Sequence, residues 1–464
     1  MQNQDVNVNS VFRVVKTRKK RYNLLRNNER SPPMKKIFIS AVFIATLLFL
    51  VSCLPSKIAK KTNTNAKEDK KNMPTITEAK LNYTDVKAMW ISQFDLSEPL
   101  CDGKQRDKYQ FTRLIEDMLD NVKSIGVNTV IVQVRPNADS LYPSKYYPPS
   151  VYAVGAYGNE FSYDPFEIIV EEAHERELSI HAWINPMRAM TETQIENIDE
   201  RFTLKKWWDN EKLRKKYFPT VGGRVYLNIA YPEVRQLITD GAREIIEKYD
   251  VDGLHMDDYF YPTTDTEFDT DAYEEYGKGK SLGDWRRDNL NTLVKGIYDA
   301  VKQESQKVLF GISPAGTMEK DYETMYADVY EWCKNEGYID YICPQIYFGM
   351  EHETCSFDNM TDQWNAIVKS DTVKMWVGMT LGKTVAANAG EGDKWAGTGR
   401  DEWINNKDVL KRCLDYTKNA DKCVGVAFFS YQYFFDSLTG WENEASQEER
   451  DNFVPVLKEI GWEE

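Results

Sequence analysis

Histidine is scarce in this chain: His174, His181, His255 and His352 are the four among 464 residues. None stands in an HExxH or another tight ligand spacing, so no ready zinc-hydrolase arrangement is offered, and neither a metal nor a cofactor is expected. GxGxxG, P-loop and nucleophile-elbow motifs are missing as well, which leaves nucleotide cofactors and serine-hydrolase chemistry without support. Cysteine is limited to seven residues with no CxxC pair. Their irregular spacing leaves pairing undetermined, and Cys343, set in an apolar strand, reads as a buried thiol. The longest apolar run, residues 37–51, falls short of the ~18 residues of a membrane span. Positive charge is thin beyond the N-terminus. Residues 1–52 hold ten Lys or Arg against Asp5 and Glu29, so removing that +8 from the overall −14 leaves −22 for the remainder. Such an acidic body is repelled by phosphate backbones, and nucleic acid is excluded as a partner class.

What is present is an ordinary globular balance, 42% hydrophobic and 28% charged, in a chain long enough for one large α/β barrel with tails. From Met34, read as the translation start, the chain runs through Lys35-Lys36 and the apolar segment to Leu50-Val51-Ser52-Cys53. A positive stretch, a short apolar region and small residues before a cysteine resemble a bacterial lipoprotein signal. Cys53 is then the lipidated residue, tying the protein to a membrane of the cell envelope. Residues 1–53 thus read as basic extension and signal peptide. Residues 54–80 are polar and read as a flexible tether, because they bury too little surface to offset their ordering entropy. The domain proper is expected over 81–464.

Beyond residue 80, short apolar or β-branched runs alternate eight times with longer amphipathic ones. Strands are predicted at 86–90, 128–134, 179–185, 252–257, 308–313, 339–345, 373–379 and 424–430. Helices are predicted at 107–124, 164–177, 232–249, 284–305, 321–336, 357–369, 402–419 and 446–460. Eight such pairs fit a closed (β/α)8 TIM barrel better than an open doubly wound sheet. Period-2 parity then assigns faces. Ile180, Ala182 and Ile184 face the helices, leaving His181, Trp183 and Asn185 inside. Leu254 and Met256 likewise leave His255 and Asp257 inside, and Ile342, Pro344 and Ile346 leave Gln345 and Tyr347. Polar residues gather at the C-terminal strand ends: Arg135, Asn185, Asp257, Ser313, Gln345 and Tyr347. Barrel enzymes build their sites at that rim, and this convergence is the main sequence evidence for catalysis.

The fourth predicted strand opens into Asp257-Asp258-Tyr259-Phe260-Tyr261-Pro262. Adjacent residues of an extended segment diverge, so Asp257 and Asp258 do not read as a facing pair: one does chemistry while the other orients it or binds a sugar hydroxyl. An Asx turn followed by core aromatics is the other reading. The segments Gln133-Val134-Arg135-Pro136, Ala182-Trp183-Ile184-Asn185-Pro186, Tyr226-Leu227-Asn228, Asp252-Gly253-Leu254-His255-Met256-Asp257-Asp258-Tyr259 and Pro344-Gln345-Ile346-Tyr347 together resemble the glycosyl hydrolase-like 10 family, in order and over about residues 85–435. The resemblance implies a (β/α)8 barrel and hydrolysis of an envelope polysaccharide; one branch is similar to enzymes cutting peptidoglycan strands stripped of stem peptides. A weaker echo of the chitinase DGxDxDxE signature covers residues 252–259. Tyr259 occupies its glutamate position, so that mechanism is not carried across.

Glycoside hydrolysis generally needs one carboxyl group to protonate the leaving oxygen and a second as base or nucleophile. Asp257 is the first candidate; Asp258, Glu351, Asp139 and Glu98 contend for the second. Arg135, Asn185, Arg188 and Gln345 supply donors for the substrate, a loop-pinning salt bridge being the alternative for Arg188. Trp90, Trp183, Tyr259, Tyr261, Tyr347 and Trp376 lie near the predicted rim, where flat rings suit pyranose faces and core filling is the other reading. The long connection 186–231, with Trp207 and Trp208, is expected to wall a substrate groove. Two competing classes remain: a metal-dependent polysaccharide deacetylase drawing on His181, His255 and Asp257, and a carbohydrate-binding lipoprotein without turnover.

Overall fold

The computed structural model describes residues 81–462; the signal segment, Cys53 and the tether lie outside them. The strands are β1 (Val86–Ile91), β2 (Thr129–Arg135), β3 (Ser179–Ile184), β4 (Thr220–Val221), β5 (Arg224–Val225), β6 (Gly253–Met256), β7 (Leu309–Ile312), β8 (Tyr341–Ile342), β9 (Lys374–Thr380) and β10 (Cys423–Phe429). Eight of them close into a parallel barrel in the order β1-β10-β9-β8-β7-β6-β3-β2, while β4 and β5 form a separate hairpin. The (β/α)8 barrel expected from the alternating pattern is therefore the fold. Strands covered on both faces read as continuous apolar runs, and β2, Thr-Val-Ile-Val-Gln-Val-Arg, is buried at every position.

Parity sorts the strand side chains into two cores. Ile180, Ala182, Ile184, Leu254, Met256 and Ile342 join the belt beneath the helices. Trp90, Ile131, Trp183, Tyr341, Cys343 and Trp376 pack inside the barrel. Helix starts follow local chemistry: Asp107 caps Lys108–Ser124 through the Gln110 N–H at 3.0 Å, and Pro165–Glu175 and Pro232–Lys248 begin on proline, whose missing N–H costs nothing there.

Three elements differ from expectation. The sixth barrel strand shrinks to Tyr341–Ile342, because Pro344 has no N–H for the ladder; pairing resumes as single bridges from Gln345 to Ala315 and Gly378. The helix expected at 321–336 divides into a π turn, Lys320–Thr324, and a helix, Val329–Lys334. The one at 402–419 divides into Glu402–Asn405 and Val409–Tyr416. The 186–231 connection carries three short helices (Glu192–Glu196, Thr203–Asp209, Glu211–Tyr217) and the β4–β5 hairpin. Trp207 and Trp208 pack edge-on to Tyr217 and Phe218 at 4.8 and 5.5 Å, so they serve that segment's own core. The six described cysteines are unpaired, and no described helix is long and apolar enough to cross a membrane.

Below the barrel mouth lies a hydrogen-bonded aromatic layer. The Trp90 indole donates to His255 Nε2 at 3.2 Å, and the Tyr341 hydroxyl meets His255 Nδ1 at 2.9 Å and His181 Nδ1 at 2.8 Å. An indole only donates, so His255 carries its proton on Nδ1 and gives it to Tyr341, whose own proton goes to His181. Burial lowers both imidazole pKa values, that of His181 to about 4, and both rings stay neutral. Two inward-facing glycines leave the room: a Cβ at Gly253 would fall on the His181 ring and one at Gly311 on the Tyr341 ring. Gly311→Ala is therefore expected to lower stability by about 1–3 kcal/mol, read as an earlier thermal unfolding midpoint. Tyr341→Phe strands two buried ring nitrogens and should cost about as much.

Candidate active site

Asp257 is the first residue past β6, at the C-terminal end of the barrel, and is 3% exposed. Asn185, the first residue past β3, donates from Nδ2 to Asp257 Oδ2 at 2.6 Å. Gln133 of β2 donates from Nε2 to Asn185 Oδ1 at 2.8 Å, and its Oε1 accepts the Gln93 N–H at 2.8 Å. These side chains line up because β2, β3 and β6 are neighbours in the closed sheet. The Tyr259 N–H closes an Asx turn on Asp257 Oδ1 at 3.2 Å. Both carboxyl oxygens thus have donors, yet burial, aided by the charge of Asp258, pushes the Asp257 carboxyl up to about 8 against Tyr259, Asn185 and Arg188. Desolvation of the charged form outweighs the hydrogen bonds that favour it.

Asp258 diverges from Asp257 and is half-buried. Burial raises its pKa also, opposed by Lys320, a hydrogen bond from Gln345, and Arg188. Gln345 is anchored by Nε2 donating to the Ser313 carbonyl at 3.1 Å. Asp321, in the π turn, accepts the Ala315 N–H at 3.0 Å; its second oxygen is buried without a partner among the described residues. Burial first, then the charge of Asp258, holds this carboxyl well above its ordinary range. Two rings border the carboxylates: Tyr259, 42% exposed with the Arg188 guanidinium 4.5 Å over it, and half-buried Tyr347, 6.0 Å from the Phe429 ring.

Several expected residues sit elsewhere. Arg135 faces the helical shell, 4.5 Å over the Tyr147 ring and against Gly241. A register shift between Gln133 and Arg135 inserts one residue into β2, and one extra residue reverses the parity beyond it. Gln133 holds the inward place instead. Tyr261 is buried under the rim loop against Phe268 and Arg286 at 5.7 and 5.3 Å. Trp90, Trp183 and Trp376 fill the barrel. Glu351 turns its side chain outward, 57% exposed and 4.0 Å from Arg412, and Glu98 is exposed on the helix Gln93–Leu100. Asp139 is buried and accepts the Asn137 N–H at 3.0 Å and a bond from Ser150, which pins the loop after β2. Gln93, Gln133, Asn137, Arg224, Lys320 and Asp321 escaped the sequence reading. Parity from Ile131 would have found Gln133; the others stand on loops or in short elements with no periodic signal: Gln93 opens the helix Gln93–Leu100, Arg224 lies on β5, and Lys320 and Asp321 lie in the π turn.

Among the described residues no group of three or more His, Cys, Asp and Glu is disposed to hold a metal ion. His255 has both ring nitrogens engaged, by Trp90 and Tyr341, so the His181, His255 and Asp257 set of a deacetylase does not assemble. A cleft of about 480 Å³ lies between the 186–231 connection (Lys216, Asn228) and the loop after β6 (Thr263, Asp265, Asp271). Neither Asp257 nor Asp258 lines it; the carboxyl groups converge at the barrel mouth.

Residues 85–397 match the glycosyl hydrolase-like 10 family. Glycosyl hydrolase YngK of Bacillus subtilis (strain 168) is 36% identical over 323 residues, 64% of this chain and 61% of YngK, so the chain spans less than two thirds of that relative. Glycosyl hydrolase DigH of Escherichia coli (strain K12) is 30% identical over 364 residues, 74% of this chain and 80% of DigH. The glycoside hydrolase domain of PgaB (BpsB) from Bordetella bronchiseptica is similar at 12% identity and a TM-score of 0.48, covering 79% of this chain and 98% of that one. With the family match extending over more than half of its length, the chain belongs to the glycosyl hydrolase-like 10 family.

Proposed function

We propose that the protein hydrolyses glycosidic bonds of a cell-envelope polysaccharide, peptidoglycan glycan strands being the substrate, at the mouth of the barrel. The observation that carries this reading is the buried Asp257 carboxyl, held on both oxygens and raised to about 8. A carboxyl still protonated near neutrality is suited to protonate a leaving glycosidic oxygen. Asp258, half-buried and faced by Lys320, Gln345 and Arg188, serves as the second carboxylate. Tyr259 and Tyr347 offer ring faces to the sugar, while Asn185 and Gln345 orient the two carboxyl groups. The lipoprotein-like segment ending at Cys53 supports an anchor on a membrane of the cell envelope.

The barrel domain from residue 81 onward is expected to release oligosaccharides from purified glycan strands, followed by chromatography of the products. Asp257→Ala abolishes this, and Asp257→Asn lowers kcat by roughly 10²–10⁴-fold, the usual contribution of a positioned acid. Wild-type rates in either variant remove Asp257 from the mechanism, and intact binding without any product from the wild type identifies a carbohydrate-binding protein instead. An acid must hold its proton to act, so kcat falls as pH rises through about 8. The same raised pKa means that the folded state binds this proton more tightly than the unfolded chain does. Stability should therefore decline as pH climbs from about 4 toward that value, and Asp257→Asn should flatten the decline in a series of melts. Cys53→Ser in the full chain is expected to move the protein from the membrane to the soluble fraction and to stop incorporation of labelled fatty acid; unchanged fractionation would refute the anchor.

A further inference from the structure

The domain is acidic, yet two arginines meet at the mouth with no ion pair within 4.0 Å to either of them among the described residues. Arg188 follows β3, and Arg224 lies on β5. That hairpin strand is laced antiparallel onto residues 187–190: the Leu227 N–H donates to the Met187 carbonyl at 2.7 Å, the Ala189 N–H to the Val225 carbonyl at 3.0 Å, and Arg188 is bridged to Tyr226. Opposed residues and those two apart share a face of such a ribbon, so Arg188, Tyr226 and Arg224 lie on one side. Arg188 acts on both Asp257 and Asp258, opposing their rise. Arg224 donates from a terminal nitrogen to Asn137 Oδ1 at 2.9 Å and to the Ala189 carbonyl at 3.1 Å. Asn137 in turn donates to Gln93 Oε1 at 3.3 Å, and the Gln93 N–H begins the chain through Gln133 and Asn185 to Asp257.

Other buried or half-buried arginines divide: Arg286 pairs with Asp269, Arg176 with Asp120 and Glu172, and Arg412 with Glu402, while Arg135 lies over the Tyr147 ring and Arg235 donates to the Ile229 and Ala230 carbonyls. Among the described residues Arg188 and Arg224 have no such pair, and Asp139, the acid that Arg224 influences, is committed to Asn137 and Ser150. Burial and the charge of Arg188 lower the Arg224 pKa. Two half-buried cations held side by side by backbone pairing repel each other until an anion joins them.

We propose that Arg188 and Arg224 form a carboxylate subsite beside Asp257, so that the substrate carries a free carboxylate on a sugar adjoining the cleaved bond. The proposal rests on the glycosidase reading and narrows it. Guanidinium forks match a planar carboxylate, and Tyr226 and Tyr259 border the place it would occupy. The carboxylate has two possible sources: the lactyl groups of glycan strands freed of stem peptides, or a uronate polymer.

The test compares kcat/KM of the full-length protein on stripped glycan strands, on the same strands with their carboxylates amidated, and on a polyuronate. Amidation is expected to lower kcat/KM about tenfold or more through KM, the worth of a hydrogen bond to a charged group, and the better of the two charged polymers identifies the source. Arg188→Gln and Arg224→Gln should bring the charged-to-amidated ratio close to one. Equal use of both forms by the wild type, or an equal loss on both in the variants, overturns the subsite. Calorimetric binding of charged and amidated oligosaccharides to Asp257→Asn decides the same question if an arginine variant fails to fold. Should the wild type cleave no polymer at all, the glycosidase reading falls, and the binding preference still decides the subsite.

Discussion

The hydrogen bond from Asn185 to Asp257 is the contact on which the mouth of this barrel depends. Asn185 has one amide donor group and one carbonyl, and each is used: Nδ2 on Asp257 and Oδ1 on Gln133. That double commitment sets the amide orientation and holds the Asp257 carboxyl against the inner wall instead of letting it swing toward solvent. It requires β2, β3 and β6 to lie side by side, with Asn185 and Asp257 each following a paired strand end (Ile184 with Met256) and Gln133 in register with Trp183. Closure of the sheet and placement of the acid are therefore one event.

The layer beneath supplies the other half of the effect. Trp90, Trp183, Tyr341 and Trp376 with the two neutral imidazoles plug the barrel, so Asp257 rests on a dry floor. A dry floor disfavours its ionised form, and this raises the pKa even though both oxygens accept hydrogen bonds. Burying this carboxyl costs stability at pH values where the unfolded chain would ionise it. Within the plug the Tyr341 hydroxyl gives both histidines a partner, while the Trp183 indole N–H is buried without one among the described residues.

Above the floor, the rim is built by segments that are remote in sequence. The hairpin from the 186–231 connection returns to pair with residues 187–190, bringing Arg188 and Arg224 together. The π turn after β7 brings Lys320 and Asp321 toward Asp258. One side of the carboxylates is thus bordered by guanidinium groups and the other by an ammonium and a third carboxyl. That asymmetry separates the environments of two neighbouring aspartates that differ little in the primary chain.

The barrel, its eight strands and the inward direction of Asn185, Asp257 and Gln345 were legible in the sequence, because alternation along a buried strand leaves a direct trace of which face each residue takes. Arg135 shows where that trace ends: one inserted residue in β2 reverses parity, and a bulge has no signature in the order of side chains. Tyr261 and Glu351, read as rim residues, were carried away by loops whose course depends on distant partners such as Arg286 and Arg412. Asp321 stood at the start of what read as a continuous helix over 321–336, and Lys320 just before it. By itself, the order of residues determined the architecture and the inward direction of Asp257, since both follow from local periodicity. Only the tertiary structure decided the company that acid keeps, because burial, charge and the hydrogen-bond chain through Gln133 and Asn185 arise between strands and loops that meet only when the sheet has closed.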